Sequence, residues 1–175
     1  QRLIAPRTFE PGEARTPTAA DLKPDQVLLR VLAGGICGSD LPQFKGIKSS
    51  PVLDPAAAQG PQPWGHPMHE VTGQIIASTA SGLEPGTVVV GWATGFDGIS
   101  ELVISNASDV APYDPALPAS TAVLLQPLAC VMYAVEQIGD VTGAHAAVIG
   151  QGPIGVLFSH VLKSRGAARV TGVDL

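Results

Sequence analysis

The C-terminal segment of the sequence places the strongest constraint on its fold. An apolar run at 146–150 is followed by a helix-like segment at 153–167 and by a second apolar run at 169–175. Strand, helix and strand in this order predict a βαβ unit with two parallel strands. The turn between the first strand and the helix contains three glycines in G-x-G-x-x-G spacing: Gly150, Gly152 and Gly155. This part of the chain is therefore expected to be α/β.

The position of these glycines between a strand and a helix is typical of a dinucleotide-binding turn. Gly150 permits the tight turn, Gly152 lets the backbone approach a pyrophosphate, and Gly155 allows the helix to pack closely on the strand. The helix N-terminus would face the negative phosphates. Asp174, 19 residues after Gly155, would bind the adenosine ribose and repel a 2′-phosphate, which favours NAD over NADP. A glycine-rich turn without a nucleotide is the alternative. The predicted cofactor-binding residues are Gly150, Gly152, Pro153, Ile154, Gly155 and Asp174.

The first two thirds of the chain follow a different pattern. Short strand-like runs lie between turns rich in proline and glycine, at 26–33, 71–78, 87–93 and 101–105. This spacing predicts a small, barrel-like all-β unit. We interpret the long stretch at 45–67 as a loop that lines a cleft, with a disordered insertion as the alternative.

Composition and charge exclude several classes of partner. The net charge is −5, and the ten Lys and Arg residues are scattered, so no nucleic-acid partner is expected. The apolar stretches are shorter than the roughly 18 residues of a membrane span, so no membrane partner is expected either. The first residues lack the apolar core of a signal peptide, which favours a cytoplasmic location. Two cysteines cannot form a disulfide framework and suit free thiols or metal ligands.

Cys37 has candidate partners for metal binding in a second segment. It lies in "GGICGSD", and "GHPMHEVTG" supplies His66, His69 and Glu70. A buried structural thiol is the alternative for Cys37, and His66 is expected to be a loop residue rather than a ligand. Cys130, beside the apolar stripe of a predicted helix, is expected to be a small core residue.

Taken together, these motifs resemble the zinc-dependent medium-chain alcohol dehydrogenase superfamily, and its polyol and sugar dehydrogenase branch in particular. "GGICGSD" is similar to the metal-cysteine motif of the family, "MHEVTGQI" to its His-Glu strand, "PGTVVVGWA" to the strand that follows, and "VIGQGPIG" to its nucleotide turn. The resemblance implies a mixed α+β and α/β fold. A GroES-like β-barrel catalytic domain at 1–122 would precede the connecting helix and first βαβ of a Rossmann domain at 123–175, with zinc in the cleft between them.

The resemblance also implies roles for individual residues. Cys37 and His69 would be zinc ligands, and Glu70 a third ligand or a nearby carboxylate. Asp40 would orient the imidazole of His69, and Ser39 would pass the substrate's hydroxyl proton toward solvent. The implied reaction transfers hydride between an alcohol, polyol or sugar hydroxyl and NAD, with zinc lowering the pKa of the hydroxyl.

Two departures from the family pattern limit the metal content. Gln126 stands where many relatives have a glutamate, cysteine or aspartate, so a four-ligand protein site through that position is in doubt. No cysteine occurs between Gly91 and Asn106, where many relatives bind a structural zinc. We therefore expect one catalytic zinc and no structural zinc.

The resemblance leaves two alternatives to this function. A zinc-free reductase of the enoyl or quinone type is the first, and a non-catalytic nucleotide-binding module is the second, if the chain ends at Leu175. Only two strands of the nucleotide domain are visible, so we expect the sequence to be the N-terminal part of a longer enzyme, and family resemblance implies a homodimer or homotetramer.

Overall fold

The two hydrophobic patterns correspond to two units of structure, Gln1–Val123 and Leu124–Leu175. The structure is a computed structural model and describes residues 1–46 and 62–175. Most of the predicted cleft-lining loop at 45–67 therefore lies outside the described residues. Each unit has its own cluster of buried apolar side chains.

An antiparallel sheet organises the first unit. Its described elements are β1 (Arg2–Ala5), β2 (Thr8–Glu10), β3 (Gln26–Gly35), α1 (Asp40–Phe44), β4 (Glu70–Ser78), β5 (Val88–Trp92), β6 (Leu102–Asn106), β7 (Val110–Pro112) and α2 (Ala119–Ala122). Five strands form the sheet in the order β6-β3-β4-β5-β7, and β1 and β2 form a separate hairpin. The predicted strands at 26–33, 71–78, 87–93 and 101–105 are thus confirmed within one or two residues.

The core of this unit lies against the sheet and includes side chains of the inner strands β3 and β4. Val27 and Leu29 of β3 and Val71 and Ile75 of β4 are almost completely buried. These side chains recur at every second or fourth position, which places them on one face of a pleated strand. Burial of one such side chain stabilises a fold by about 1.5–3 kcal/mol, so β3 and β4 are firmly anchored.

The register of β3 and β4 determines which loop residues meet. The two strands pair antiparallel from Val27 opposite Ser78 to Gly35 opposite Glu70. The chain leaves β3 at Gly35 and enters β4 at Glu70. The residues just after β3 and just before β4 therefore lie at the same end of the sheet.

The second unit is the predicted strand–helix–strand unit with one preceding helix. It contains α3 (Leu125–Ile138), β8 (His145–Ile149), α4 (Pro153–Ser164) and β9 (Arg169–Val173). The two strands are parallel and in register, with Ala147 opposite Thr171. Val131 and Val135 of α3 pack with Val161 and Leu162 of α4 in the buried cluster. The βαβ prediction is confirmed.

The expectation that Cys130 is a core residue is wrong. Its thiol is exposed, whereas Val131 and Val135, four residues apart on one face of α3, are buried. An α-helix rotates about 100° per residue, so a residue directly before the buried face can point away from it. Met132 and Ile138, two apolar residues of the same helix, are also exposed.

One helical stretch is longer than the sequence-based expectation about membranes allowed. Ala119–Ile138 spans 20 residues with a mean hydropathy of 1.3, which is sufficient by length and composition to cross a membrane, and 22% of the apolar window is buried. The expectation that all apolar stretches are too short is wrong by this measure. A single such helix is weak grounds for a membrane protein, because helices of soluble proteins pass the same test.

Candidate functional site

A thiol, an imidazole and a carboxylate meet at one end of the sheet. The ligand atoms of Cys37, His69 and Glu70 all lie within 4.8 Å of one another. His69 and Glu70 are buried, and Cys37 is half-buried. Among residues 1–46 and 62–175 this is the one group of three or more such side chains with metal-like spacing.

The β3–β4 register explains this convergence. Cys37 follows the last residue of β3 by two positions, and His69 directly precedes β4. Gly35, the partner of Glu70 in the sheet, leaves room for the glutamate side chain: a Cβ at position 35 would lie 2.8 Å from Oε2 of Glu70. The absence of a side chain at Gly35 therefore allows Glu70 to turn toward Cys37 and His69.

Asp40 connects the two loops that carry the candidate ligands. Its Oδ2 accepts a hydrogen bond of 2.8 Å from the backbone N–H of Cys37, and its Oδ1 lies 3.1 Å from Nδ1 of His69. The second contact is a close electrostatic pairing rather than a well-aligned hydrogen bond. The Asp40 carboxylate raises the pKa of His69, and this effect outweighs burial, which acts in the opposite direction.

These residues fit a zinc ion by the chemistry of their donor atoms. Thiolate sulfur, imidazole nitrogen and carboxylate oxygen are the ligand types that zinc takes in proteins. Because Nδ1 of His69 faces Asp40, Nε2 is the nitrogen left to face a metal. A carboxylate behind a ligating histidine is the usual outer partner in such sites. Ser39 is exposed and caps the start of α1 without a side-chain hydrogen bond to the helix.

Two aromatic rings lie beside His69, and no sequence pattern distinguishes them as site residues. The ring of Phe96 is 5.2 Å from the imidazole centroid and that of Trp92 is 5.5 Å away. Trp92 is opposite Glu70 in the β4–β5 pairing and 41% exposed. Trp92 and Phe96 therefore form an apolar wall next to the candidate ligands. The register of β5 against β4 would have been the signal needed to find Trp92.

His66 is a buried residue, whereas the sequence suggested a loop position without further role. It lies in a loop, but it is only 6% exposed, and its Nε2 has no hydrogen-bond partner among the described residues. Burial lowers the pKa of His66, and the nearby Asp40 carboxylate partly offsets this effect. Asp97, on the loop that packs against Gly65, is half-buried, and this partial burial raises its pKa. His66 is not part of the three-residue cluster.

The glycine-rich turn of the second unit has the geometry that its spacing requires. Gly150 has a positive φ of 90°, which favours glycine. A Cβ at Gly155 would overlap the carbonyl oxygen of Gly150, so close packing of helix on turn needs glycine there. Gly152 is the N-cap of α4, Pro153 is in its first turn, and a Cβ at Gly152 would meet no atom within 4 Å. Ile154 is exposed in the first turn of the helix.

Asp174 lies directly after β9 and contacts the turn. Its Oδ2 accepts a hydrogen bond of 2.6 Å from the backbone N–H of Gln151, and its Oδ1 accepts one of 2.7 Å from the N–H of Leu175. These backbone donors lower the pKa of Asp174, so the exposed carboxylate is ionised at neutral pH. Gln126, in α3 of the same unit, donates from Nε2 to the sulfur of Cys130 at 3.6 Å.

Comparison with known proteins places these features in a family. The sequence profile of the "Alcohol dehydrogenase GroES-like domain" matches residues 23–115, more than half of the chain. The chain belongs to this family. The matched range includes Cys37, His69 and Glu70, and the zinc-type medium-chain superfamily inferred from the motifs is thereby confirmed.

Curated relatives of this chain include dehydrogenases named for a sugar acid and for a polyol. The chain is 26% identical to L-idonate 5-dehydrogenase (NAD(P)(+)) of Escherichia coli (strain K12), over 93% of this chain and 54% of the relative. It is 30% identical to D-altritol 5-dehydrogenase of Agrobacterium fabrum, over 89% of this chain and 53% of the relative. The chain thus spans about half the length of the curated relatives it matches.

A solved structure shows the same fold. The crystal structure of 2R,3R-butanediol dehydrogenase from Bacillus subtilis superposes with a TM-score of 0.77 at 24% identity, over 99% of this chain and 57% of the other. The predicted fold class, a GroES-like domain followed by the start of a Rossmann domain, is confirmed by this likeness and by the family match.

Proposed function

We propose that this chain is part of a zinc-dependent dehydrogenase that transfers hydride between a hydroxyl-bearing carbon of an alcohol, polyol or sugar and NAD. The observation that carries the proposal is the convergence of Cys37, His69 and Glu70 within 4.8 Å, with Asp40 behind His69. Membership of the alcohol dehydrogenase GroES-like family supports the same chemistry. Relatives named for L-idonate, D-altritol and butanediol support the hydroxyl-bearing substrate class.

The first unit would hold the metal through three side chains. Cys37, His69 and Glu70 are the proposed ligands, and Asp40 keeps the imidazole of His69 oriented with Nε2 toward the ion. When bound, zinc supplies a Lewis acid that lowers the pKa of a substrate hydroxyl. Ser39, exposed beside this cluster in sequence, would accept the hydroxyl proton and pass it to solvent.

The surroundings of the cluster also suit a substrate with both polar and apolar faces. Trp92 and Phe96 present apolar rings next to His69. Every hydroxyl-bearing carbon of a polyol also carries C–H groups, and these apolar groups can pack against the apolar surface of an aromatic ring. The rings would exclude water from one side of the substrate, while the charged cluster takes the hydroxyl side.

The second unit would bind the cofactor through its glycine-rich turn. Gly150, Gly152 and Gly155 let the backbone approach a diphosphate, and Pro153 and Ile154 begin the helix whose N-terminus faces it. The ionised carboxylate of Asp174 would accept hydrogen bonds from the ribose and repel a 2′-phosphate. We therefore propose NAD rather than NADP as the cofactor.

One zinc per chain is the proposed metal content. The full sequence has two cysteines. The sulfur of Cys130 accepts a hydrogen bond from Gln126 within the second unit. A neutral amide is a poor zinc ligand, so we propose that water or substrate completes the coordination. We further propose a cytoplasmic homodimer or homotetramer, which light scattering of the purified protein would test.

The decisive experiment combines metal analysis with an activity screen. The protein should contain one zinc per chain and should reduce NAD with at least one alcohol, polyol or sugar of a broad panel. Cys37→Ala and His69→Ala should lose both zinc and activity. Cys130→Ala, which changes the exposed cysteine, is the matched control and should keep both.

Two other results would overturn the proposal. A zinc-free protein that reduces an activated alkene with NADH would indicate a reductase of the enoyl or quinone type. A protein that binds NADH but oxidises nothing in the panel would indicate a nucleotide-binding module. Tighter binding of NADPH than of NADH would contradict the cofactor assignment to Asp174.

A further inference from the structure

The side chain of Gln151 connects three parts of the second unit. Nε2 donates to the carbonyl oxygen of Val148 at 3.1 Å and to that of Gly150 at 3.2 Å. Oε1 accepts a hydrogen bond of 3.3 Å from Oγ of Ser159, a hydroxyl that is shared with the carbonyl oxygen of Gly155 at 3.0 Å. Val148 belongs to β8, Gly150 to the turn and Ser159 to α4. A single carboxamide therefore joins the strand, the turn and the helix.

The second strand leaves space for this side chain. A Cβ at Gly172 of β9 would lie 2.6 Å from Cδ of Gln151 and 2.9 Å from Oε1. The backbone of Gly172 is not in the positive-φ region, so its conformation does not require glycine. The missing side chain at Gly172 instead gives Gln151 the room that it occupies.

The backbone of Gln151 is fixed from the opposite direction. Its N–H donates to Oδ2 of Asp174 at 2.6 Å. This hydrogen bond connects the residue after β9 to the middle of the turn. Both the main chain and the side chain of Gln151 are thus held by hydrogen bonds within the second unit.

We infer that Gln151 is a positioning residue for the diphosphate of a dinucleotide, an inference that rests on the proposed function. Its carboxamide faces the strand and helix rather than a ligand, so Gln151 acts through the turn. A turn that is already held in one conformation loses less conformational entropy when a ligand binds. The free energy of binding is more favourable by the entropy cost that is avoided. The effect belongs to cofactor binding and leaves the hydride-transfer step unchanged.

A double-mutant cycle tests this inference with NADH as the probe. Gln151→Ala removes the carboxamide, and Gly172→Ala pushes it away, so each should raise the Kd for NADH by about fivefold to tenfold. The double variant should bind no more weakly than Gln151→Ala, because no carboxamide is left to displace. Gln151→Met keeps the volume over Gly172 without the hydrogen bonds, and it should weaken binding while it folds normally.

Kinetics separate positioning from general loss of structure. In the Gln151 variants the KM for NAD should rise with kcat little changed, since only cofactor binding is weakened. Gln74→Met is the matched control, because Gln74 of β4 donates one similar hydrogen bond to the carbonyl of Gly86 in the first unit. Its KM for NAD should equal that of the unaltered protein.

The outcomes distinguish failure of this inference from failure of the proposed function. If the unaltered protein does not bind NADH, the proposed function is wrong, and this inference with it. If the protein binds NADH and Gln151→Met binds it equally well, Gln151 has no positioning role. Additive losses in the Gln151→Ala, Gly172→Ala double variant would equally overturn the inference, because the two residues would then act independently.

Discussion

The candidate metal site (Cys37, His69 and Glu70) and the glycine-rich turn are assembled in opposite ways. Cys37 and His69 come from loops far apart in sequence, and they meet because β3 and β4 pair in one register. The turn at 150–155 joins consecutive elements, β8 and α4, and depends on backbone space at its glycines. One site therefore depends on long-range strand pairing and on side-chain donors, whereas the other depends on local geometry. Substitutions should affect them separately.

The largest expected effect is that of Gly155→Val in the turn. A side chain at 155 would overlap the carbonyl oxygen of Gly150, and overpacking against backbone costs up to about 3 kcal/mol. NADH binding should be lost in a fluorescence titration, while the zinc content stays at the level of the unaltered protein. Gly152→Ala, where a Cβ meets no atom, should keep the melting temperature. Joint loss of zinc and NADH binding in Gly155→Val would show that the two sites are not independent.

The reverse case is Asp40, which contacts two residues of the candidate metal site, Cys37 and His69. Asp40→Ala removes the acceptor for the Cys37 N–H and the carboxylate next to His69. Loss of such an outer partner lowers metal affinity about 10–100-fold. Asp40→Asn keeps an oxygen for the Cys37 N–H and should lose less. Competition with a chelator measures both affinities, and an Asn variant weaker than the Ala variant would contradict the assigned role, as would a changed Kd for NADH.

A smaller effect is expected at Gly35, which faces Glu70. A methyl group there would lie 2.8 Å from Oε2 of Glu70, and overpacking of this size costs about 1–2 kcal/mol. Zinc affinity should fall about tenfold in Gly35→Ala. Gly38→Ala, three residues later in the chain, adds a methyl group in open space and should bind zinc normally. Equal zinc affinity of the two variants would remove Glu70 from the ligand set.

The smallest expected effect is the pH dependence that His66 contributes. Burial lowers its pKa in the folded protein below the ordinary value of 6.5. As the pH falls through 6.5, the unfolded chain takes up a proton before the folded protein does, so the free energy of unfolding decreases. His66→Phe should remove this part of the decrease, as measured by urea unfolding between pH 8 and pH 5. An unchanged slope in the variant would show that His66 titrates normally.

The sequence predicted the turn better than the surroundings of the metal cluster. Strand, turn and helix are neighbours in the chain, so the spacing of Gly150, Gly152 and Gly155 was sufficient to place them. The ligand candidates Cys37 and His69 came from family resemblance, since their spacing alone does not specify the β3–β4 register. Trp92 could not be identified as a site residue either, because its place opposite Glu70 depends on the pairing of β4 with β5.

Burial was the least predictable property of single residues. His66 is buried because a loop from another part of the chain packs against Gly65, and no local pattern at 66 indicates that contact. Cys130 was expected in the core and is exposed. The spacing of apolar residues along a helix locates the buried face only to within about one residue. The role of Gln151 depends on its contact with Gly172. The position of Gln151 between Gly150 and Gly152 in the sequence does not indicate that contact.

The pairing of β3 with β4 would make binding of the proposed zinc ion a reporter of correct folding. Alternate residues of a strand point to opposite faces, so a slip of one residue would turn Glu70 away from Cys37 and bring a different neighbour to Gly35. A mispaired sheet would then capture zinc poorly even if it were equally collapsed. Uptake of the ion during refolding would therefore favour chains that have aligned their central strands properly, as a form of proofreading.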